Sequence, residues 1–198
     1  MFCLHMMIEA ILLGGMNKVV DKSVYSNNWY KPGSAIRRLL WLVISGLFYT
    51  SHLFPFNGIK LSVLRLFGAK IGRNCTIKPG VKIKYPWFLE VGNYVGFGEG
   101  VWIDNLAKVT IGNQCTISQG AYILTGNHDY KSSSFDLIIA EVQIEDGVWI
   151  GAKSIVCPGS ICRSHSVLGV GSILSGEAKS YRIYSGNPAR ELKERVIE

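Results

Sequence analysis

From residue 71 onward an apolar side chain returns every six positions, first at Ile71, Ile77 and Ile83, then at Val91, Phe97 and Ile103, then at Ile111, Ile117 and Ile123. The step between these triplets is eight, so the three coils repeat every twenty residues. After one interruption, Ile144, Ile150, Val156, Cys162, Leu168 and Leu174 follow at strict steps of six. All fifteen positions are apolar in a chain that is 48% hydrophobic. Chance would give that on the order of 10⁻⁵ of the time before free choice of register. Two residues ahead of fourteen of the fifteen repeat positions sits something small or β-branched, from Ala69, Cys75 and Val81 to Ser160, Ser166 and Ser172. Glycine follows the repeat position at 72, 92, 98, 112, 151 and 169. A period of six fits neither an α-helix nor a coiled coil. It fits a triangular coil in which each hexapeptide is a short strand plus a corner. Three strands make one turn, and the repeated aliphatics stack inward. Five such coils, spaced as β-strands are, make a prism roughly 20–25 Å tall.

Glycine at 22 of 198 residues suits the many corners. The 18% of charged residues marks an ordered, core-forming chain. Five cysteines (Cys3, Cys75, Cys115, Cys157 and Cys162) form no Cys-x-x-Cys pair, which argues for reduced thiols in the cytoplasm, the last four as small core residues. The formal charge of +7 suits a solvated face, an anionic membrane surface or a phosphate-bearing substrate. Nucleic acid is excluded as a partner, because no basic run is interleaved with aromatics.

Residues 1–66 read as a helical or irregular N-terminal region, 67–177 as the coil with a loop at 124–142, and 178–198 as a closing tail. Residues 1–16 are apolar, but they lack a basic flank and a cleavage site, so they do not read as a signal peptide. The charge-free stretch 39–56 follows Arg37 and Arg38. Polar residues dilute it, which favours a helix on a membrane surface or packed on the domain over a membrane span.

The segments IGRNCTI, IGNQCTI, VWIGAKSIVCPGSI and VLGVGSIL resemble the hexapeptide-repeat acyltransferases. GIKLSVLRLFGAKIG and GNHDYKSSSFDL are similar to the exopolysaccharide acetyltransferases of the colanic-acid type within that family. The likeness runs from about Trp29 to Glu198. It implies an all-β fold, the left-handed parallel β-helix, and an acetyl-CoA-dependent O-acetyltransferase that needs no metal. It also implies a homotrimer; the cysteines and the charge-free stretch place the protein in the cytoplasm, at the inner face of the membrane, with peripheral contact through residues 39–56. The acceptor it implies is a sugar or lipid-linked saccharide of an exopolysaccharide precursor.

The coil breaks once, between Ile123 and Ile144, and the extruded loop carries His128 between Asn127 and Asp129. Loops thrown out of a regular solenoid are where function concentrates. A thioester is already activated, so its transfer to a hydroxyl chiefly needs a positioned base. Neutral imidazole suits that task near pH 7. The resemblance matches His128 to the family's general base. Asp129, Asp136 or a backbone carbonyl could orient it. By the same resemblance the acceptor lies at Trp102, Asp104 and Asn105, with Asn127 and Asp129 nearby; Asn105 stands where the family carries an acidic residue. Trp149, Gly151, Ala152, Gly169, Val170 and Gly171 match the pantetheine groove of acetyl-CoA, and Arg190 and Lys193 match contacts to its phosphates. Gly176 stands where family members often carry a lysine, and Lys179 is close by.

Two rivals remain. A zinc enzyme on the same coil needs three imidazoles, and His128 and His165 are the only ones in the repeat region. A non-catalytic β-helix scaffold in polysaccharide assembly would have no use for the His128 loop.

Overall fold

A computed structural model of the chain describes residues 19–49, 54 and 56–198. The readings of residues 1–16, of Cys3, and of 50–53 and 55 within the charge-free stretch lie outside these residues. The described chain forms two compact units. One holds residues 19–29 and 128–137; the other holds Tyr30–Asn127 and Ile138–Glu198.

The larger unit is the coil, a left-handed parallel β-helix. Its first face stacks Lys70–Ile71, Leu89–Val91, Val109–Ile111, Val142–Ile144, Ile161–Cys162 and Glu177–Ala178 as six parallel strands. The second face runs from Thr76–Ile77 to Arg182–Gly186, and the third from Lys82–Ile83 to Ile173–Leu174. Register follows the hexapeptide count. Ile71 pairs with Val91, Val91 with Ile111, Ile111 with Ile144 and Ile144 with Cys162. The loop between the last two coils that flank it therefore costs no slip. Of the fifteen repeat positions only Ile71, in the first coil, is incompletely buried. The small residues two positions earlier are buried throughout, including Ser154, Ser160, Ser166 and Ser172.

The first corner of each coil turns through a left-handed residue, at Asn74, Tyr94, Gln114, Gly147, His165 and Tyr181. The bulk of these side chains points outward, and an Asx ladder offsets the strain. The Asn113 side-chain oxygen accepts from the Asn93 backbone N–H at 2.9 Å, and Asp146 accepts from the Asn113 N–H at 2.6 Å. The coil also runs further than the six-residue count reaches. After Leu174 the next inward residue is Ala178, because the third corner shrinks to a turn at Gly176 (φ +100°). Glu177–Ala178 and Arg182–Gly186 then continue as a sixth, incomplete coil. Ala189–Glu194 folds back antiparallel on Arg182–Gly186 and closes that end.

Among the described residues two α-helices precede the coil: α1 (Ala35–Phe48) and α2 (Asn57–Leu66). Ser34 caps α1 by accepting from the Arg37 N–H. Helix α2 buries Leu61 and Leu64 against the first coil, and the Asn57 amide bonds the Cys75 carbonyl and the Ile77 N–H at 2.9 and 2.7 Å. Trp41 of α1 donates from its indole to the Ile83 carbonyl at 2.8 Å. Lys60 of α2 is fully buried, and among the described residues its ammonium has no hydrogen-bond partner. Burial holds its pKa below the usual lysine value. Cys75, Cys115 and Cys162 are buried, with the thiols of Cys115 and Cys162 pushed up to about 11 and about 12 by burial, so none is a ready nucleophile.

Candidate active site

The smaller unit is built around the histidine. Loop residues Gly126–His128 and Leu137–Ile139 run as short strands, joined across the turn by the Asp129 N–H donating to the Asp136 carbonyl at 2.8 Å. His128 Nδ1 lies 2.9 Å from the Phe135 carbonyl oxygen. A carbonyl can only accept, so the proton sits on Nδ1 and the basic lone pair on Nε2. The Phe135 ring lies flat on the imidazole, with centroids 4.5 Å apart and planes within 8°. Phe135 holds this pose with φ +55°, a conformation that costs a bulky residue energy. Tyr25 stands 6.0 Å from the imidazole and the Lys22 ammonium 5.0 Å over the Phe135 ring. The Asp21 N–H donates to the Ser133 carbonyl at 2.8 Å.

Of the three candidate orienters, the backbone carbonyl is the one in place. Asp129 accepts from the Lys131 N–H at 3.0 Å, and Asp136 accepts from the hydroxyls of Ser134 and Ser132 at 2.5 and 3.3 Å. Both carboxylates thus shape the turn. Phe135 carried no sequence signal for this role, since a main-chain oxygen can come from any residue type.

On the third face, Trp102 and Tyr122 stack at 4.6 Å and 15°, both in the register of Lys82, whose ammonium is 5.6 Å from the Trp102 ring. The Asp104 carboxylate accepts from the Tyr122 hydroxyl at 3.3 Å and pairs with Lys84 at 2.8 Å. Burial and Asp104 together raise the Tyr122 phenol to about 12, so it stays a donor. Tyr122 and Lys84 were not singled out from the sequence, although both lie twenty residues from Trp102 or Asp104 and the repeat alone could have placed them.

Asn105, expected against the acceptor, is 0% exposed in this chain. Its amide donates to the Tyr85 carbonyl at 2.7 Å and its oxygen accepts from the Tyr85 N–H at 3.0 Å. Asn105 therefore clamps the enlarged corner of the coil below.

The residues matched to acetyl-CoA gather along the second face and its following corner. Trp149 is 46% exposed and donates from its indole to the Ser118 hydroxyl at 2.9 Å. One coil on, the Gly171 N–H donates to the Ala152 carbonyl at 2.9 Å, and the Gly151 N–H donates to the Leu168 carbonyl at 2.7 Å. A Cβ on Gly151 would sit 2.6 Å from the Leu168 oxygen, so stacking of the coils itself demands glycine there. The same corner presents Gly169 and the exposed Val170, a flat edge for a thin chain. Arg190 and Lys193 lie on the closing hairpin, opposite Ser185 and Ile183. Among the described residues no three His, Cys, Asp or Glu side chains are grouped to hold a metal ion.

An aromatic-faced β-helix with a loop histidine and a small-residue corner defines a class, the hexapeptide-repeat acetyltransferases. No protein-family model matches the chain. It is 34% identical over 167 residues to the "Putative colanic acid biosynthesis acetyltransferase WcaF" of Escherichia coli (strain K12), covering 84% of this chain and 92% of that protein. The chain belongs to that family of acetyltransferases, and with the family comes the reaction class, acyl transfer from acetyl-CoA. A hexapeptide-repeat-containing acetyltransferase of Vibrio cholerae O1 biovar eltor, solved with acetyl coenzyme A, superposes with a TM-score of 0.75 at 20% identity, over 84% of this chain and 93% of that one. A galactoside acetyltransferase solved with coenzyme A gives 0.66 at 22% identity, over 80% of each chain. Both share the fold.

Proposed function

We propose that the chain moves the acetyl group of acetyl-CoA to a sugar hydroxyl of an exopolysaccharide precursor, with His128 as general base. The observation that carries this reading is the His128–Phe135 hydrogen bond, which fixes a proton on Nδ1 and leaves Nε2 as the nitrogen that can act as base. In the proposed step Nε2 takes the hydroxyl proton as the alkoxide attacks the thioester carbon. The tetrahedral intermediate then collapses, the C–S bond breaks, and the sulfur of CoA leaves with the proton returned from His128 Nε2. Direct transfer in a ternary complex is favoured over an acyl-enzyme, because burial raises the pKa values of the Cys115 and Cys162 thiols and the hydroxyls of Ser132 and Ser134 bond Asp136. Thioester and hydroxyl held in line supply the larger part of the rate.

For the acceptor, the stacked Trp102–Tyr122 pair beside Asp104 offers the combination that binds sugars, aromatic faces for the ring and a carboxylate for hydroxyls. The relative named for colanic acid biosynthesis supports a saccharide of an exopolysaccharide pathway. A homotrimer, a lipid-linked form of the acceptor, and a cytoplasmic site at the inner membrane face with contact through residues 39–56 belong to the same proposal. The test is a screen of sugar nucleotides and lipid-linked saccharides with acetyl-CoA, scoring CoA release. Release with at least one saccharide is expected. Acetyl-CoA binding without release for any saccharide would favour the scaffold reading.

A further inference from the structure

Helix α1 is built the wrong way round for a helix in water. Its polar and aromatic side faces the protein: Trp41 is buried, Arg37 lies over the Trp87 ring at 4.2 Å and donates to the Phe67 carbonyl, and Ile44 and Phe48 pack on the core. The opposite side, by the 3.6-residue period, carries Ile36, Leu39, Leu40, Leu42, Val43 and Leu47, each between 53% and 73% exposed. Phe56, Ile59 and Leu66 of the second helix region are exposed as well, at 60%, 49% and 82%. An ordinary surface helix shows charge outward, and soluble monomers rarely expose contiguous apolar patches of this kind.

The charge around the face says what covers it. From Tyr30 to Gly68 the chain has no Asp or Glu, and it carries Lys31, Arg37, Arg38, Lys60 and Arg65. Of these Lys31, Arg38 and Arg65 are exposed. The first turn of α1 holds two arginines and no acid, adding to the positive end of the helix dipole instead of offsetting it. A second copy docking through the same face in a two-fold contact would set these cations against one another. An anionic bilayer offers the complement on both counts, acyl chains for the leucines and headgroup phosphates for the cations. Fourteen residues at about 1.5 Å each give roughly 21 Å, too short for a hydrocarbon core of about 30 Å. No described helix is long and apolar enough to cross a membrane.

We propose that α1 lies in the plane of an anionic membrane surface, apolar side down, with Lys31, Arg38 and Arg65 on the headgroups. This rests on the membrane contact proposed above and moves it. Among the described residues of the stretch 39–56, the outward side of α1 and Phe56 take part, while Tyr49 is buried. Residues Ile36, Ile59 and Leu66 join from outside that stretch.

The test is co-sedimentation of the full chain with vesicles of phosphatidylcholine alone and of phosphatidylcholine mixed with phosphatidylglycerol. Binding to the mixed vesicles is expected to be roughly 100-fold tighter, from about a factor of five per exposed cation over three cations. Lys31→Gln with Arg38→Gln should lose roughly 25-fold of it. Leu39→Glu with Val43→Glu should abolish it while leaving the melting temperature near that of the wild type, since both positions face outward. Acetyl transfer to a soluble saccharide, measured on the same variants, should be unchanged. Equal affinity for both vesicle types, or none for either, overturns the proposal whatever the activity. A loss of oligomer size in the Leu39→Glu, Val43→Glu variant without any vesicle binding would assign the face to a protein partner and also overturns it. Vesicle binding with no acetyl transfer by the wild type would instead sink the functional reading and leave the surface standing.

Discussion

Replacing Asn105 by Asp converts it to the type of residue the family pattern carries at this position, and in this chain the change should be costly. The side chain is fully buried between two backbone groups of Tyr85, a carbonyl at 2.7 Å and an N–H at 3.0 Å. A carboxylate can accept from the N–H but sets a second acceptor against the carbonyl, inside the coil. Breaking a buried pair in this way costs about 3–5 kcal/mol, which for a chain of this length is a melting temperature lower by about 10 °C. The protonated acid has the needed O–H and can replace the amide. The folded protein therefore raises the pKa of the introduced carboxyl above its unfolded value of about 3.9. A shift of about two units, to near pH 6, corresponds to about 3 kcal/mol. With the folded state binding the extra proton, stability is fullest at low pH and is lost as pH rises through the raised folded value. Thermal melts of Asn105→Asp and wild type should therefore converge only below about pH 4, draw apart between about pH 4 and pH 6, and stay apart at pH 8. A variant as stable as the wild type at pH 8, with a changed KM for the saccharide, would refute the clamp and return Asn105 to the acceptor.

Three further outcomes follow from the packing. Gly151→Ala places a Cβ 2.6 Å from the Leu168 oxygen and should destabilise the coil by about 2–4 kcal/mol in chemical denaturation. Phe135→Gly keeps the carbonyl and suits φ +55° but removes the ring stacked on His128; kcat should fall roughly 3–10-fold, with little change in melting temperature. Lys60→Met should raise the melting temperature at pH 7 by removing a buried ammonium without a partner. Because the folded pKa of Lys60 is lowered, the wild type gains stability as pH rises from that value toward the unfolded one, so the advantage of Lys60→Met should shrink in alkaline melts.

The coil was legible because its inward positions see only stacked neighbours, and a six-residue period survives in one sequence. Its sixth turn was not legible, because the step from Leu174 to Ala178 is four and breaks the count. His128 stood out as a histidine on the single extruded loop. The group that orients it did not, because it is the Phe135 main-chain oxygen, and both aspartates that looked suited to the task are spent on the turn. The twenty-residue repeat puts Tyr85 one coil below Asn105, but the two hydrogen bonds by which Asn105 holds the Tyr85 backbone are set by side-chain geometry that the repeat does not carry. The exposed face of α1 was visible as hydropathy alone. Which side of the helix meets the protein is set by Trp41 reaching the Ile83 carbonyl, a contact across 42 residues that no local pattern encodes.

The proposed chemistry stands or falls on turnover by His128→Ala with acetyl-CoA and a responsive saccharide, with acetyl-CoA affinity measured alongside. Loss of the base should lower kcat by about 10²–10⁴-fold while acetyl-CoA binds as before. Turnover within a fewfold of the wild type would contradict the assignment of His128.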